Sequence, residues 1–547
     1  MSRDDPIITE AQFNEVARAC DRILRHPRAG IEWMAIPWLH VLSQHPIHLA
    51  WYAGLFTHQQ AGGSKTPWRS SLQEGKALAT RMAKLGRSFV RAGACRIGRG
   101  KGYPRIAAGN LLTPPIATVD VVILSWLVHV DHLERREDFY FGNLQSMLEK
   151  RGLSSLLLLR NQSHSPTIRL LKRARRDGPC SRMMLPDANA FREELALLSR
   201  CVRARGRLGC LLRKSSTPLE RKVIRRARQE QVSEEAVGNL RLHDQIREIC
   251  RQTNPSMVMG MYEGHASERC AWHAVRSSSS DQRICVGYQH TTLRRHAYAA
   301  KRSIGKDRQY DPDIILTLGD ATRRTLMACK GLEGIDFITF GTHRRGRGGP
   351  KENGPKSGST FLVLPEGIPS ECIYLFDFAL ECARRLPQSR FIFRTHPVLP
   401  FERIQGKLKG YGEGPANVEI SRQRNIDDDF ARSSNLLYRG SSAVFYAVLG
   451  GLKPFYVSKA HEMDIDPLHE ISRWREHVHS VDDLVDKYKS HQSKAPGQSL
   501  GDWQRVRDYC QNYALPPKEG AVDVLLQMVE KRMGAQKISR RGRRGHR

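Results

Sequence analysis

The feature that most constrains this chain is the run THRRGRGGPKENGPKSGS at residues 342–359, rich in Gly, Pro and charge and poor in apolar side chains. Such a composition cannot bury a core and reads as a flexible linker. On either side of it, short apolar runs alternate with segments of helical period. Before it, strands are expected at Val119–Leu124, Ser154–Leu159, Ser256–Met261, Ile284–Gly287, Ile314–Leu318 and Phe337–Phe340, with a helix over Phe141–Arg151. Leu242, Ile246, Ile249 and Cys250 fall on one face of a further helix. After it, strands are expected at Thr360–Leu364, Arg390–Arg394, Val418–Ile420, Asn435–Tyr438 and Pro454–Val457. A helix with Ile373, Phe376, Leu380 and Ala383 on one face follows the first of these, and a short helix starts at Ser442.

Continuous apolar strands alternating with helices form parallel sheets covered on both faces. The expected fold class is therefore α/β, with two Rossmann-like domains facing across a cleft. A chain of 547 residues is too long for one compact core, which agrees with that division. The boundaries read as an N-terminal extension over 1–112, a first Rossmann-like domain over 113–341, the linker, a second over 360–530, and a basic tail over 531–547. Lys537–Arg547 carries six Lys/Arg and is expected to be disordered.

Composition excludes several classes. At 40% hydrophobic and 26% charged, the chain is too apolar for a disordered protein. The longest apolar runs, around Val119–Val130 and Leu156–Leu159, are strand-sized or interrupted and fall short of a membrane span. The start, MSRDDPIITE, is acidic and polar, unlike a secretory signal. The twelve cysteines form no CxxC pair, so free thiols in a reducing cytoplasm are expected, with neither a zinc ribbon nor a disulfide framework. The net charge of +32 attracts polyanions: nucleic acid, anionic lipid headgroups or phosphorylated substrates. Residues 197–228 concentrate part of it, dense in Arg and Lys with the single acid Glu220.

Ligands of open α/β sheets bind beyond the carboxyl ends of the strands, and five segments lie there. MYEGHASE (261–268) places Glu263 where a strand stops, with Gly264 permitting a tight turn and His265 after it; a buried carboxylate there could act as a general base or cap the next helix. VGYQHTT (286–292) offers Gln289, His290 and Thr291 as mixed donors and acceptors. FRTHP (393–397) puts Arg394 and His396 on one side of an extended chain, where they could converge on a phosphate, and Pro397 stops the strand. RGSSAVFYAVLGGLKP (439–454) sets Ser441 and Ser442 between a strand and an apolar helix, as an anion site or an ordinary cap. LPEGIPSE (364–371) presents Glu366, Gly367 and Ser370 where a nucleotide base or ribose would lie.

Taken in order, Glu–Gly, then His–Pro, then Ser–Ser resembles the GT-B glycosyltransferases of bacterial surface polysaccharide synthesis. The nearest likeness is to the CMP-sugar-using sialyltransferase and Kdo-transferase-like group. YEGHASE and GYQHT also look like stretches of "surface carbohydrate biosynthesis" proteins. The resemblance covers roughly 116–460 and departs at Tyr262, which stands where a first acidic residue is expected. It implies that Glu263 is the catalytic base and that His396 and Pro397 engage the donor phosphate. Ser441 and Ser442 would hold that phosphate further, and the first domain would take the acceptor. Inverting transfer without a metal or cofactor would follow, from a nucleotide-sugar to a glycan or lipid-linked acceptor. Asp427–Asp429 and Asp464/Asp466 are metal candidates by composition, yet IDDDFARSSN reads as an acidic first helical turn and DIDPLHE as a loop.

Two other readings fit parts of the sequence. A CDP-glycerol glycerophosphotransferase-like enzyme also pairs histidines with Ser–Ser. A nucleic-acid binder would use the charge, but no zinc-finger spacing or RNP-type aromatic signature is present. The charge fits at least as well with the anionic inner face of the plasma membrane, where lipid-linked glycans are assembled.

Overall fold

The computed structural model describes residues 8–42, 46–56, 118–133, 135, 137–163, 181–215, 217–278, 283–304, 308–343, 354–396, 399–412, 414–494, 496–518 and 520–544. Pro397, the Gly/Arg-rich stretch 96–105 and most of the linker lie outside the described residues. The architecture is α/β, with two parallel sheets. The first contains β1 (Val121–Leu127), β2 (Ser155–Asn161), β3 (Ser181–Met184), β4 (Met257–Met261), β5 (Ile284–Gln289), β6 (Ile314–Thr317) and β7 (Asp336–Thr339). Its strand order is β3-β2-β1-β4-β5-β6-β7. The second contains β8 (Thr360–Leu364), β9 (Arg390–Phe393), β10 (Val418–Ile420), β11 (Asn435–Tyr438), β12 (Lys453–Val457) and β13 (Glu476–Val478), in the order β10-β9-β8-β11-β12-β13.

The expected strands are all present, most within one or two residues of their predicted ends. β1 shows why they were legible: Val121, Val122, Ile123 and Leu124 are all buried, as a strand covered on both faces requires. Between β3 and β4 the basic stretch folds as helices Phe191–Lys214 and Pro218–Glu230, followed by Glu234–Thr253. The last of these starts at Ser233, whose hydroxyl accepts the Ala236 N–H at 3.1 Å. It ends at Asn254 in the left-handed region at φ +46°. Its buried face includes Leu242, Ile246, Ile249 and Cys250.

The described part of the N-terminal extension packs on the first domain. Trp33 donates to the Ala204 carbonyl at 3.3 Å, Tyr298 donates to Asp21 at 2.8 Å, and Arg302 pairs with Asp21. The chain also returns to the first sheet at its end. Helix Pro496–Tyr513 crosses between the sheets: Trp503 donates to the Val448 carbonyl at 2.8 Å, Tyr513 stacks on Phe445, and the Leu293 N–H reaches the Tyr513 hydroxyl at 2.7 Å. Helix Gly520–Arg544 then packs against β5 and β7, with Arg532 on Asp336 at 2.6 Å and Asp523 on Arg151 at 2.6 Å. The end of the stretch assigned to the second domain thus lies on the first. That helix continues into the stretch read as a basic tail, to Arg544; its buried residues Val522, Leu525 and Val529 precede that stretch.

Candidate active site between two sheet edges

In each sheet the strand order reverses once, between β1 and β4 in the first and between β8 and β11 in the second. At such a point neighbouring loops diverge and open a crevice beyond the carboxyl ends of the strands. Glu263 follows β4 at the first reversal. Glu366 and Gly367 follow β8, and Gly440, Ser441 and Ser442 follow β11, at the second.

The Glu263 turn is fixed from two sides. Gly264 has φ +83°, and a Cβ there would run into Ala299, whose own Cβ would lie 2.8 Å away, so glycine is required. Glu268, in the first turn of helix Ala266–Arg276, turns its Oε2 back to accept the backbone N–H groups of Glu263 at 2.9 Å, Gly264 at 2.8 Å and His265 at 3.1 Å. Glu263 is therefore not the helix cap, and its carboxylate is directed elsewhere. Oε2 meets His265 Nε2 at 3.2 Å and Oε1 meets His290 Nε2 at 3.1 Å. Trp126 sets its edge against both imidazoles, with ring centroids 6.0 Å from His265 and 5.8 Å from His290. Tyr140 packs edge-on against His290 at 4.8 Å. Tyr262, at the position that lacks an acid, is buried and donates to the Ala300 carbonyl at 3.0 Å.

Burial and charge tune this cluster. Burial pushes the Glu268 carboxyl up to about 7, with the Glu263 charge adding to the rise against the opposing pull of His265 and the backbone N–H groups. Burial lowers His265, but its hydrogen bond to Glu263 and the charges of Glu263 and Glu268 outweigh that and leave it raised. The arrangement can hold a proton between carboxylate and imidazole, which is what a general base needs.

The two edges meet through the loop after β5. Three residues beyond Thr291, the Arg294 guanidinium pairs with Glu366 and donates to the Gly440 carbonyl at 2.8 Å. Both side chains are buried. A Cβ on Gly440 would strike the Glu366 carboxylate and lie 2.9 Å from Arg294 Nη2, so this junction also depends on a glycine. Thr291, Gly367, Ser370 and Ser441 around it are half-buried, and Ser442 is exposed.

Several residues read from the sequence as ligand-facing have other partners. Gln289 is fully buried and its side chain bonds the Thr291 carbonyl and the Leu318 N–H, serving the loop's own backbone. Glu366 meets Arg294 where a ribose was expected. Arg394 pairs with Asp429 at 2.5 Å and donates to the Gln423 carbonyl at 3.1 Å, while His396 is exposed. The short helix starts at Val444, two residues later than expected, with Ser441 and Ser442 in the turn before it. Asp427–Asp429 do open a helix, Ile426–Arg432, where Asp429 is buried between Arg394 and Arg432. Asp466 is buried against Arg475 and the Tyr438 hydroxyl. Among the described residues, no group of three His, Cys, Asp or Glu is placed to hold a metal ion, and the ten described cysteines are free thiols.

Sequence reasoning did not single out Glu268, Arg294 or Arg439. Arg439 is fully buried after β11 and clamps Glu371 and, at 2.5 Å, Glu462, with Lys459 also on Glu371 at 2.6 Å. The signal for Glu268 was present: an acid three residues after His265, before an apolar helix, is the spacing of a residue that caps backward.

No protein-family model matches the sequence, and no curated protein matches it. Among solved structures, the chain is similar to the glycotransferase of kitacinnamycin, at 10% identity and TM-score 0.42 over 75% of this chain and 99% of that one. It is likewise similar to the glycosyltransferase SnogD from Streptomyces nogalater, at 12% identity and TM-score 0.41 over 75% of this chain and all of the other. UDP-GlcNAc 2-epimerase from Neisseria meningitidis, bound to UDP-GlcNAc, aligns at 10% identity and TM-score 0.39 over 75% and 99%.

Proposed function

We propose that this chain is a metal-independent, inverting glycosyltransferase that takes its sugar from a nucleotide-sugar, with a CMP-sugar favoured, and that Glu263 is its base. The observation that carries this reading is the placement of Glu263. It is a buried carboxylate at the strand-order reversal of one sheet, held between two imidazoles. Its edge is joined through Arg294 to the loops at the reversal of the other sheet. In the reaction, the acceptor hydroxyl gives its proton to Glu263 as its oxygen attacks the anomeric carbon. The bond from that carbon to the nucleotide phosphate breaks through an oxocarbenium-like state, and the phosphate leaves with the bonding electrons. His265 and His290 orient the carboxylate. On the far side the Ser441 and Ser442 turn and His396 would receive the departing phosphate, where each well-placed donor is worth about 3–4 kcal/mol in the transition state.

The acceptor belongs to a surface-polysaccharide or lipid-linked glycan in this reading. Supporting a site of action at an anionic membrane surface, helix Phe191–Lys214 exposes Phe191, Leu195 and Val202 alongside exposed Arg192, Arg203, Arg213 and Lys214, the mixture of an interfacial helix. No helix among the described residues is long and apolar enough to cross a membrane.

The reading is tested by melting the protein with CMP, CDP, UDP and GDP, since a bound ligand raises apparent stability with the logarithm of its saturation. Donors built on the stabilising nucleotide are then assayed for transfer. CMP is expected to give the largest shift. A shift by CDP together with turnover of CDP-glycerol would replace the sugar with glycerol phosphate, and no shift by any nucleotide would overturn the proposal.

A further inference from the structure

A buried cation from the first sheet reaches the place where the second is proposed to hold phosphate. The backbone that carries Arg294 is fixed from two sides. The Leu293 N–H reaches the Tyr513 hydroxyl at 2.7 Å, and that hydroxyl lies 3.4 Å from the Leu293 carbonyl. Lys301 donates to the carbonyls of Arg294 at 3.2 Å and Arg295 at 3.0 Å. Tyr513 in turn stacks at 4.0 Å on Phe445, in the helix Val444–Leu449 that follows Ser441 and Ser442. The Arg294 loop is thus held in register with the element that carries the Ser–Ser turn. From this base the guanidinium extends to Glu366 and to the Gly440 carbonyl at 2.8 Å. A Cβ on Gly440 would strike the Glu366 carboxylate and come within 2.9 Å of Arg294 Nη2. An anion on Arg294 therefore rests directly against Gly440, the residue next to Ser441.

A phosphate at the Ser441–Ser442 turn would bring its charge beside that of Glu366. Two anions crowded into one buried site repel each other, and phosphate offers a guanidinium more acceptor oxygens than a carboxylate does. On the transferase reading of this site, we infer that Arg294 is a further catalytic residue. When the donor binds, its phosphate takes Arg294 from Glu366, and Glu366 is the stand-in anion that keeps the guanidinium aimed while the site is empty. As the bond from the anomeric carbon to the phosphate oxygen breaks, the electron pair passes to that oxygen. Arg294 meets the charge that develops there without giving up a proton. One sheet edge then carries both the base and a stabiliser of the leaving group, Glu263 after β4 and Arg294 after β5.

The test compares CMP, CDP, UDP and GDP with their nucleosides and with inorganic phosphate, by calorimetry on the full-length wild type, Arg294→Met and Glu366→Gln. At least one nucleotide is expected to bind the wild type about tenfold more tightly than its nucleoside, the margin of one charge-assisted contact, and Arg294→Met is expected to remove that margin. Glu366→Gln acts in the opposite direction: without the competing anion, the nucleotide tightens about tenfold and the nucleoside is unchanged. A Glu366 that holds ribose would instead weaken nucleotide and nucleoside alike when replaced. That result would overturn the inference, as would a margin that survives Arg294→Met. Should Arg294→Met fail to fold, the sign of the Glu366→Gln effect still decides. Nucleotide binding with no margin over nucleoside in the wild type would overturn the inference and leave the nucleotide-sugar reading standing. Inorganic phosphate binding that depends on Arg294, without nucleotide binding, would keep the anion seat and remove the transferase reading. Binding of neither would remove both.

Discussion

The carboxyl edges of the two sheets are built differently. On the first, titratable groups pair with one another: Glu263 meets the imidazoles of His265 and His290, and Glu268 holds the backbone of their turn. On the second, the strongest charges are turned inward, with Arg439 clamping Glu371 and Glu462, and Arg394 clamping Asp429. Ser441, Ser442 and His396 at that edge are small or exposed. A preorganised cluster suits chemistry on a proton, whereas a rigid frame beneath an open surface suits holding a ligand that brings its own charge. The difference separates variants that should lose rate from variants that should lose fold.

The largest effect is expected at Glu263. Glu263→Gln keeps the size of the side chain and removes the base, so kcat for transfer should fall about 10²–10⁴-fold while the melting temperature and nucleotide binding hold. Lost nucleotide binding would instead make Glu263 part of the donor pocket. The counterpart in the second sheet is Arg439→Met, which leaves Glu462 without its cation and Glu371 with Lys459 alone, and should destabilise by about 3–5 kcal/mol in denaturant unfolding. Unchanged stability would remove the contrast. Between these regions, Arg294→Ala cuts the link to Glu366 and Gly440. Misplacing the two edges should lower kcat/KM about tenfold to a hundredfold, with intact secondary structure by circular dichroism.

A smaller effect concerns pH. The Glu268 carboxyl is raised from 4.5 to about 7 in the folded chain, mainly by burial, so folding favours its protonated form. Its contribution to stability is fully present below about 4.5 and is lost as pH rises through about 7. Glu268→Gln should therefore flatten the fall in urea midpoint over that window, and an unaltered slope would mean that another group titrates there. The smallest effect is expected from the exposed helix Phe191–Lys214: sedimentation with anionic liposomes should weaken in Leu195→Glu with no change in melting.

Sequence carried the architecture further than the site. β8 and β11 lie where their apolar runs end, because a strand buried on both faces has no polar alternation to blur its limits. β3 and β13 were not legible. Ser181–Met184 and Glu476–Val478 are short edge strands with one or two apolar residues facing the core, and only pairing with β2 and β12 makes them strands. Glu263 and His290 were found because each follows a recognisable strand. The fates of Arg394 and Glu366 were hidden, since their partners Asp429 and Arg294 stand 35 and 72 residues away, and no local periodicity encodes such pairing.

The central claim is that the two sheet edges form one site. It is tested most directly by hydrogen exchange on the full-length protein with and without the nucleotide that most raises its melting temperature. Slowed exchange is predicted in two separated stretches at once, 261–268 with 286–294 on the first sheet and 364–371 with 439–446 on the second. Protection confined to one sheet, or lying away from both reversals, would contradict it.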